Sequence, residues 1–307
     1  MCEQSASDQL GAGFADVRVS TFLRHIKMKY PSLFIESVRT ESGGQRSDVV
    51  VINNTTVFRF PRTTEGLDSL SIEVSILRTI RGRVALPTPD PTYDNLATRT
   101  VGTTFIGYPR LSGEPLRRDL LSALDDTTCF ALAVQLARFL ETLHNLPCAV
   151  RPGDLPVQDG HDHWADLYSR IRDKLFPLMG LQGRASVANH FEGYLAEPGN
   201  SLYQPVLRHG DFGPTNILFD SVSRTISGIV DFGSAGVGDP ALDLAGLMGP
   251  FGYGETFVQS IAESYSATWS FLRRARFYAG TFALQEALWG LEHGDREAFD
   301  SGIAAYR

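Results

Sequence analysis

Three polar side chains in the middle of this 307-residue chain have the types and the spacing to do chemistry. Asp211 and Asn216 lie in RHGDFGPTNILFD (208–220), and Asp231 opens a DFG triplet further on. Between them, NILFD-SVSR-TISGIVDF reads as two apolar strands around a polar turn. Such a hairpin holds Asn216 at the start of one strand and Asp231 at the end of the other, so both belong to one edge of a sheet. An amide and a carboxylate converging there suit Mg²⁺ against a nucleotide phosphate, because Mg²⁺ takes few protein oxygens and completes its shell with water and phosphate. Asp211 sits on a loop bent by Gly210, Gly213 and Pro214. It is left to accept a proton from an attacking hydroxyl. Taken alone, Asp211 and Asn216 also read as turn formers. The presence of Asp231 is what favours the chemical reading.

The elements that must position these groups change character along the chain. Residues 18–31 (RVSTFLRHIKMKYP, counted from Arg18) read as an amphipathic helix ended by Pro31. From Leu33 to Leu111 strands and turns dominate. The β-branched runs Val49–Ile52 and Thr55–Phe60 are hinged by Asn53-Asn54, a hairpin signal. A helix comes next over 67–80, with Leu70, Val74, Leu77 and Ile80 at three- to four-residue spacing. After Pro87, Pro89 and Pro91 comes a further strand in TVGTTFIGYPRL (100–111). Beyond Gly113 the pattern is helical, with a broad apolar face over 127–147, further helices in 161–179 and 184–198, and helix again after Asp239. The expected fold class is α+β and bilobal. A small antiparallel sheet with one long helix occupies residues 1–111, a hinge lies near 108–114, and a mostly helical lobe fills 112–307.

Composition narrows the function classes. A 43% hydrophobic and 21% charged chain is that of a soluble globular protein. A net charge of −7 argues against a nucleic-acid partner and suits a cationic small molecule. Cys2, Cys129 and Cys148 form no CxxC pair, which favours a reducing compartment without structural zinc. The first residues lack the basic start and apolar stretch of a signal peptide, and no apolar run is long enough to span a bilayer. A cytoplasmic monomer with no membrane partner is expected. His161 and His163 have no third ligand at metal-site spacing and read as surface residues.

"HGDFGPTN", the "DFG" downstream of it, and then "GDPALDLA" together resemble the aminoglycoside phosphotransferase family, in that order and at that spacing. The resemblance runs over essentially the whole chain. It implies a protein-kinase-like fold, with a nucleotide-binding lobe over 1–111 and the catalytic loop and acceptor site in 112–307. By the resemblance, Asp211 is the catalytic base, preceded by the loop-shaping His209, and Asn216 and Asp231 are Mg²⁺ ligands. Ser42, Gly43, Gly44 and Ser47 belong to a phosphate-covering hairpin. Arg59 stands where the family often carries lysine, oriented by Glu73. Arginine keeps the charge but differs from lysine in reach and hydration. Tyr108-Pro109-Arg110-Leu111 resembles the hinge that contacts the base of ATP or GTP; Pro109 has no N–H, so donors must come from its neighbours. Acidic residues in the helical lobe are expected to bind the acceptor, with Glu255, Glu286, Trp289 and Glu292 as candidates and Glu263 beside them.

The implied reaction moves the γ-phosphoryl group of ATP or GTP to a hydroxyl, first of all of an aminoglycoside. The same scaffold serves choline, homoserine, methylthioribose and macrolides. A protein kinase fits less well, because no APE-like segment succeeds DFG and only a short loop separates Asp231 from Asp239. A non-catalytic nucleotide-binding regulator would be expected to lack Asp211, Asn216 or Asp231, and all three are present. Asp239-Pro240 reads as a helix cap. Asp243 resembles the family's aspartate that braces the catalytic loop. His293-Gly294-Asp295 repeats the HGD triplet without a downstream Asn or DFG and reads as a helix–turn boundary.

Overall fold

In the computed structural model the residues described are 4–41, 47–150, 155, 157–249 and 251–307, with side chains from Val17 onward except Val150. The chain divides into two compact units, 1–81 with 88–111 and 82–87 with 112–307.

The apolar alternation of residues 47–61 builds the first unit. Strands β1 (Val38–Glu41), β2 (Ser47–Ile52), β3 (Thr56–Pro61), β4 (Tyr93–Asp94) and β5 (Ile106–Pro109) form one antiparallel sheet in the order β1-β2-β3-β5-β4. Asn53 and Asn54 both take positive φ, 52° and 55°, the requirement of a two-residue type I′ hairpin, and Thr55 N–H closes it on the Ile52 carbonyl. Period-2 alternation then sorts the side chains. Val50, Ile52, Phe58 and Phe60 face helix α1 (Gln4–Lys29) through its Phe22 and Ile26. Val51 and Val57 face helix α2 (Thr64–Ile80) through Leu70 and Val74. Arg59 is two residues from Val57 and therefore falls on the α2 face. The strand expected over 100–111 is confined to its second half. Thr98, Thr100 and Thr103 fold residues 98–104 into hydrogen-bonded turns.

In the second unit the short helix α3 (Arg118–Ser122) precedes α4 (Asp126–His144), which Asp125 caps by accepting the Thr128 N–H at 2.9 Å. Leu132, Leu136, Leu140 and Leu143 of α4 are buried. The other helices of this unit are α5 (His161–Lys174), α6 (Leu181–Leu195), α7 (Ala241–Met248), α8 (Glu255–Ser264), α9 (Leu272–His293) and α10 (Arg296–Ile303), with α8 packed on α4 and with α7 and α10 packed on α9. Strands β6 (Glu114–Pro115), β8 (Ile217–Asp220) and β9 (Thr225–Ile229) make a three-stranded sheet in the order β6-β8-β9. Strand β7 (Val206–Arg208) pairs with β10 (Gly236–Gly238). At the open side of β9, Ile229 N–H donates to the Pro87 carbonyl at 2.9 Å.

Asp239 caps α7 by accepting the Ala241 N–H at 2.9 Å. It is fully buried, and also receives Arg274 Nε at 2.5 Å and the Tyr278 hydroxyl at 2.7 Å, both from α9. The second HGD triplet separates two helices. Gly294, φ 74°, ends α9 in the left-handed region, and Asp295 caps α10 at the Ala298 N–H. No helix among the described residues is long and apolar enough to cross a membrane.

Candidate active site

The loop between β7 and β8 carries Asp211, and buried groups hold its backbone. Asp243, fully buried in the first turn of α7, accepts the His209 N–H at 3.0 Å and the Gly210 N–H at 2.7 Å. His144 Nε2, at the end of α4, lies 3.1 Å from the same carboxylate. Burial pushes the Asp243 carboxyl up, but the hydrogen bond and charge of His144 and the Gly210 amide outweigh it and hold it below the usual carboxylate range. Gly210 has φ 81°, and a Cβ there would run into the Ser234 carbonyl. Phe212, fully buried, stacks on Phe139 of α4 at 5.7 Å.

His209 is fully buried. A carbonyl can only accept, so the 3.0 Å contact with the Val230 oxygen fixes the hydrogen on Nε2 and leaves Nδ1 to receive the Asp211 N–H at 3.3 Å. With both nitrogens engaged inside the protein, His209 shapes the loop.

Asp211 itself is exposed. Asn216 Nδ2 donates to its carboxylate Oδ2 at 3.0 Å and to its backbone carbonyl at 2.8 Å. Both partners are acceptors, so the amide nitrogen must face them, and Oδ1 becomes the open end of the side chain. Among the described residues nothing donates to that oxygen. Strand register supplies the neighbour: Ile217 pairs with Ile229, and Val230 N–H donates to the Asn216 carbonyl at 2.9 Å, which brings Asp231 to the same sheet edge. Asp231 adopts φ 60°, ψ 70°, a left-handed conformation that costs a non-glycine residue about 1–3 kcal/mol, and its Oδ1 accepts the Gly233 N–H at 3.4 Å. An amide oxygen beside a carboxylate is a hard donor pair that fits Mg²⁺. The described residues contain no group of three His, Cys, Asp or Glu side chains able to hold a metal, as a zinc-type centre would need.

In the first unit, Arg59 Nη1 and Glu73 Oε1 form an ion pair of 2.6 Å, with both residues buried. Ser47 is buried at the start of β2. Ser42, Gly43 and Gly44 lie outside the described residues. At the hinge the outcome differs from the expectation. Arg110 N–H donates to the Thr55 carbonyl at 2.7 Å, and antiparallel alternation turns the amide of Tyr108, opposite Val57, to the same strand. The two neighbours of Pro109 therefore direct their donors into β3, while the Pro109 carbonyl faces the side of β4.

The expected acceptor acids are less open than their sequence positions imply. Glu255 is bound by Arg276 through Nε at 2.9 Å and Nη2 at 3.2 Å, which holds its carboxyl below the usual range. Glu292 receives Arg170 and Lys174 at 2.7–2.9 Å and is lowered by them. Both carboxylates are engaged in intramolecular ion pairs, because Glu255 of α8 meets Arg276 from the first turns of α9 and Glu292 of α9 meets basic residues of α5. Glu286 is half-buried, and burial, then the charge of Asp295, push its carboxyl up. Trp289 stacks on His293 at 4.8 Å. Glu263 is exposed on α8. His161 and His163 lie in the exposed first turn of α5.

Sequence reasoning passed over three buried groups: His144, Asp159 and Arg208. His144 had a legible signal, a polar residue closing the apolar stripe of α4. Arg208 Nε binds Asp159 Oδ2 at 2.7 Å, and nothing in the spacing of these two residues announces the pair.

A small antiparallel sheet whose strand arginine is paired to a helix glutamate, and a helical unit whose loop aspartate is joined to an asparagine beside a DFG aspartate, define a phosphotransferase of protein-kinase-like fold. The family model described as "Phosphotransferase enzyme family" matches residues 37–276. Viomycin phosphotransferase of Streptomyces vinaceus is 31% identical over 261 residues, 84% of this chain and 89% of the relative. The GDP and kanamycin complex of APH(2")-IIia superposes with a TM-score of 0.86 at 28% identity, covering 92% of this chain and 96% of that one. Macrolide 2'-phosphotransferase type I shares the fold, with a TM-score of 0.71 at 18% identity over 94% of this chain and 96% of that one. The chain belongs to the phosphotransferase enzyme family.

Proposed function

We propose that this enzyme transfers the γ-phosphoryl group of ATP or GTP to a hydroxyl of a small cationic antibiotic of the aminoglycoside or viomycin kind. The observation that carries the reading is the Asp211–Asn216–Asp231 constellation, in a chain whose relatives are named for viomycin and bind kanamycin with GDP. Residues 1–111 form the nucleotide-binding lobe, and 112–307 carry the catalytic loop and the acceptor site.

Asn216 holds Oδ2 of Asp211, so Oδ1 is the atom that orients the acceptor hydroxyl and takes its proton as the bond to phosphorus forms. Asn216 Oδ1 and the Asp231 carboxylate would hold Mg²⁺, which when bound offsets charge on the phosphate oxygens. Glu73 aims the Arg59 guanidinium, a planar cation suited to phosphate oxygens. The Pro109 carbonyl is an acceptor for the exocyclic amine of the base. The net charge of −7 favours approach of a cationic acceptor. Glu263, Glu286 and Trp289 are the acceptor-facing candidates that the ion pairs leave.

The test is phosphoryl transfer by the purified chain from ATP and from GTP, read by mass spectrometry, to viomycin, kanamycin, a macrolide and choline. Transfer to one of the antibiotics is expected. Asp211→Ala should lose about 10²–10⁴-fold in kcat while still binding nucleotide. If Asp211→Ala retains wild-type turnover, the assignment of the base is wrong; if only choline is phosphorylated, the acceptor class is wrong.

A further inference from the structure

The residue before His209 is an arginine whose side chain is 3% exposed. Its guanidinium makes three kinds of contact. Nε donates to Asp159 Oδ2 at 2.7 Å, Nη2 to Gln158 Oε1 at 2.7 Å, and Nη1 to the Ser234 carbonyl at 3.1 Å. Ser234 ends the turn Phe232–Ser234 that Asp231 opens. Arg208 is thus bonded through its backbone to the loop of Asp211 and through its side chain to the turn of Asp231. We propose that Arg208 is a positioning residue for phosphoryl transfer, which fixes the turn carrying Asp231 against the loop carrying Asp211. The inference rests on the proposed roles of those two aspartates.

The surroundings are built for this guanidinium. A Cβ on Gly210 would meet Nη1, and a Cβ on Gly238 would meet Nε and the Asp159 carboxylate, so two glycines of the motif blocks make its room. The anchor is itself held. Gln158 N–H donates to the Val237 carbonyl at 2.8 Å, and the Asp159 carbonyl accepts Trp164 Nε1 at 2.9 Å. Asp159 also takes a left-handed φ of 66°, a conformation kept only where the surroundings impose it. Burying a guanidinium and a carboxylate is tolerated only when their bonds are nearly all made. A lysine would place one point charge where Arg208 serves three acceptors in a plane.

The experiment compares wild type with Arg208→Lys, Arg208→Met and Gln158→Ala. Three quantities are read: kcat and acceptor KM, the Mg²⁺ concentration for half-maximal binding of a fluorescent nucleotide without acceptor, and the thermal melting profile. In the Arg208 variants kcat should fall about 10–100-fold with acceptor KM within about twofold, and the Mg²⁺ midpoint should rise about 10-fold or more. Arg208→Lys should recover part of both. Gln158 is exposed, so Gln158→Ala should fold, with a shift of the Mg²⁺ midpoint in the same direction of about two- to threefold. Folded Arg208 variants with wild-type kcat and Mg²⁺ midpoint overturn the proposal. So does activity lost only in proportion to the unfolded fraction. If the Arg208 variants do not fold, an unshifted midpoint in Gln158→Ala overturns it. A wild-type protein whose nucleotide binding ignores Mg²⁺ would instead sink the reading of Asp231.

Discussion

Replacing Asp243 by asparagine isolates what a single buried carboxylate does for the catalytic loop. Its Oδ1 accepts the Gly210 N–H, and its Oδ2 accepts the His209 N–H and faces His144 Nε2. Asparagine offers one acceptor and one NH₂ group. If the NH₂ replaces Oδ1 it opposes Gly210 N–H; if it replaces Oδ2 it opposes His209 N–H. Either way a buried backbone donor loses its partner, at about 1–3 kcal/mol, and the remaining bonds lose their charge assistance. The expected total is about 2–4 kcal/mol, smaller than the 5–15 kcal/mol of a typical domain, so the variant should fold. All three tryptophans, Trp164, Trp269 and Trp289, lie in the second unit, so urea unfolding monitored by their fluorescence reports on that unit alone. The midpoint should drop with the slope unchanged. Among folded molecules kcat should fall about 10–100-fold, because Asp211 is displaced without being altered.

Asp243 also predicts a pH signature. Its folded carboxyl lies below the usual value of 3.8, so the native state binds that proton less readily than the unfolded chain. The stability it contributes is complete above that value and is lost as pH falls through the folded one. Asp243→Asn removes this acid-side component, and wild type and variant should converge at low pH. A variant with the wild-type urea midpoint, or with full kcat, would refute the reasoning.

Gly210→Ala forces a left-handed φ on alanine and a Cβ onto the Ser234 carbonyl; a loss of more than about 1–2 kcal/mol in the same urea assay is expected, with kcat reduced. Glu73→Gln removes the carboxylate charge paired with the buried Arg59 guanidinium; calorimetry should show the first unit destabilised by about 1–3 kcal/mol, and weaker nucleotide binding should accompany it. Burial lowers the His190 imidazole, against a smaller opposing effect of its bond to the Phe277 carbonyl, so the folded state binds its proton less readily than the unfolded chain. Its contribution is complete above pH 6.5 and is lost on acidification, and His190→Gln should flatten the stability profile below that pH. An unchanged slope would show that another group controls it.

Much of the site was legible because its geometry obeys local rules. Strand pairing alone places Asn216 beside Asp231, and alternation alone places Arg59 on the α2 face where Glu73 lies. The second HGD triplet was separable from the first because neither an asparagine five residues on nor a DFG accompanies it, and Gly294 and Asp295 do end one helix and cap the next. Side-chain partners distant in sequence were not legible. Glu255 and Glu292 look like solvated helix acids until Arg276, Arg170 and Lys174 are seen opposite them. The direction of the hinge amides at Tyr108 and Arg110 was not legible for a subtler reason. Which way an amide points depends on strand register, and the sequence carries the hairpin but not the register of β5 on β3.

The chain passes from one unit to the other at 81/82, at 87/88 and at 111/112, so neither unit is a continuous piece of sequence. A fragment cut to begin at Ser112 would lack Gly82–Pro87, and with it the carbonyl that covers Ile229 on the outer side of β9. That strand would then present an open edge able to pair with another copy. Expression of 112–307 by itself is expected to give self-associated material. A fragment that retains 82–87 on a short tether to Ser112 should stay dispersed, which makes this six-residue passage part of the second unit's solubility as well as a crossing between units.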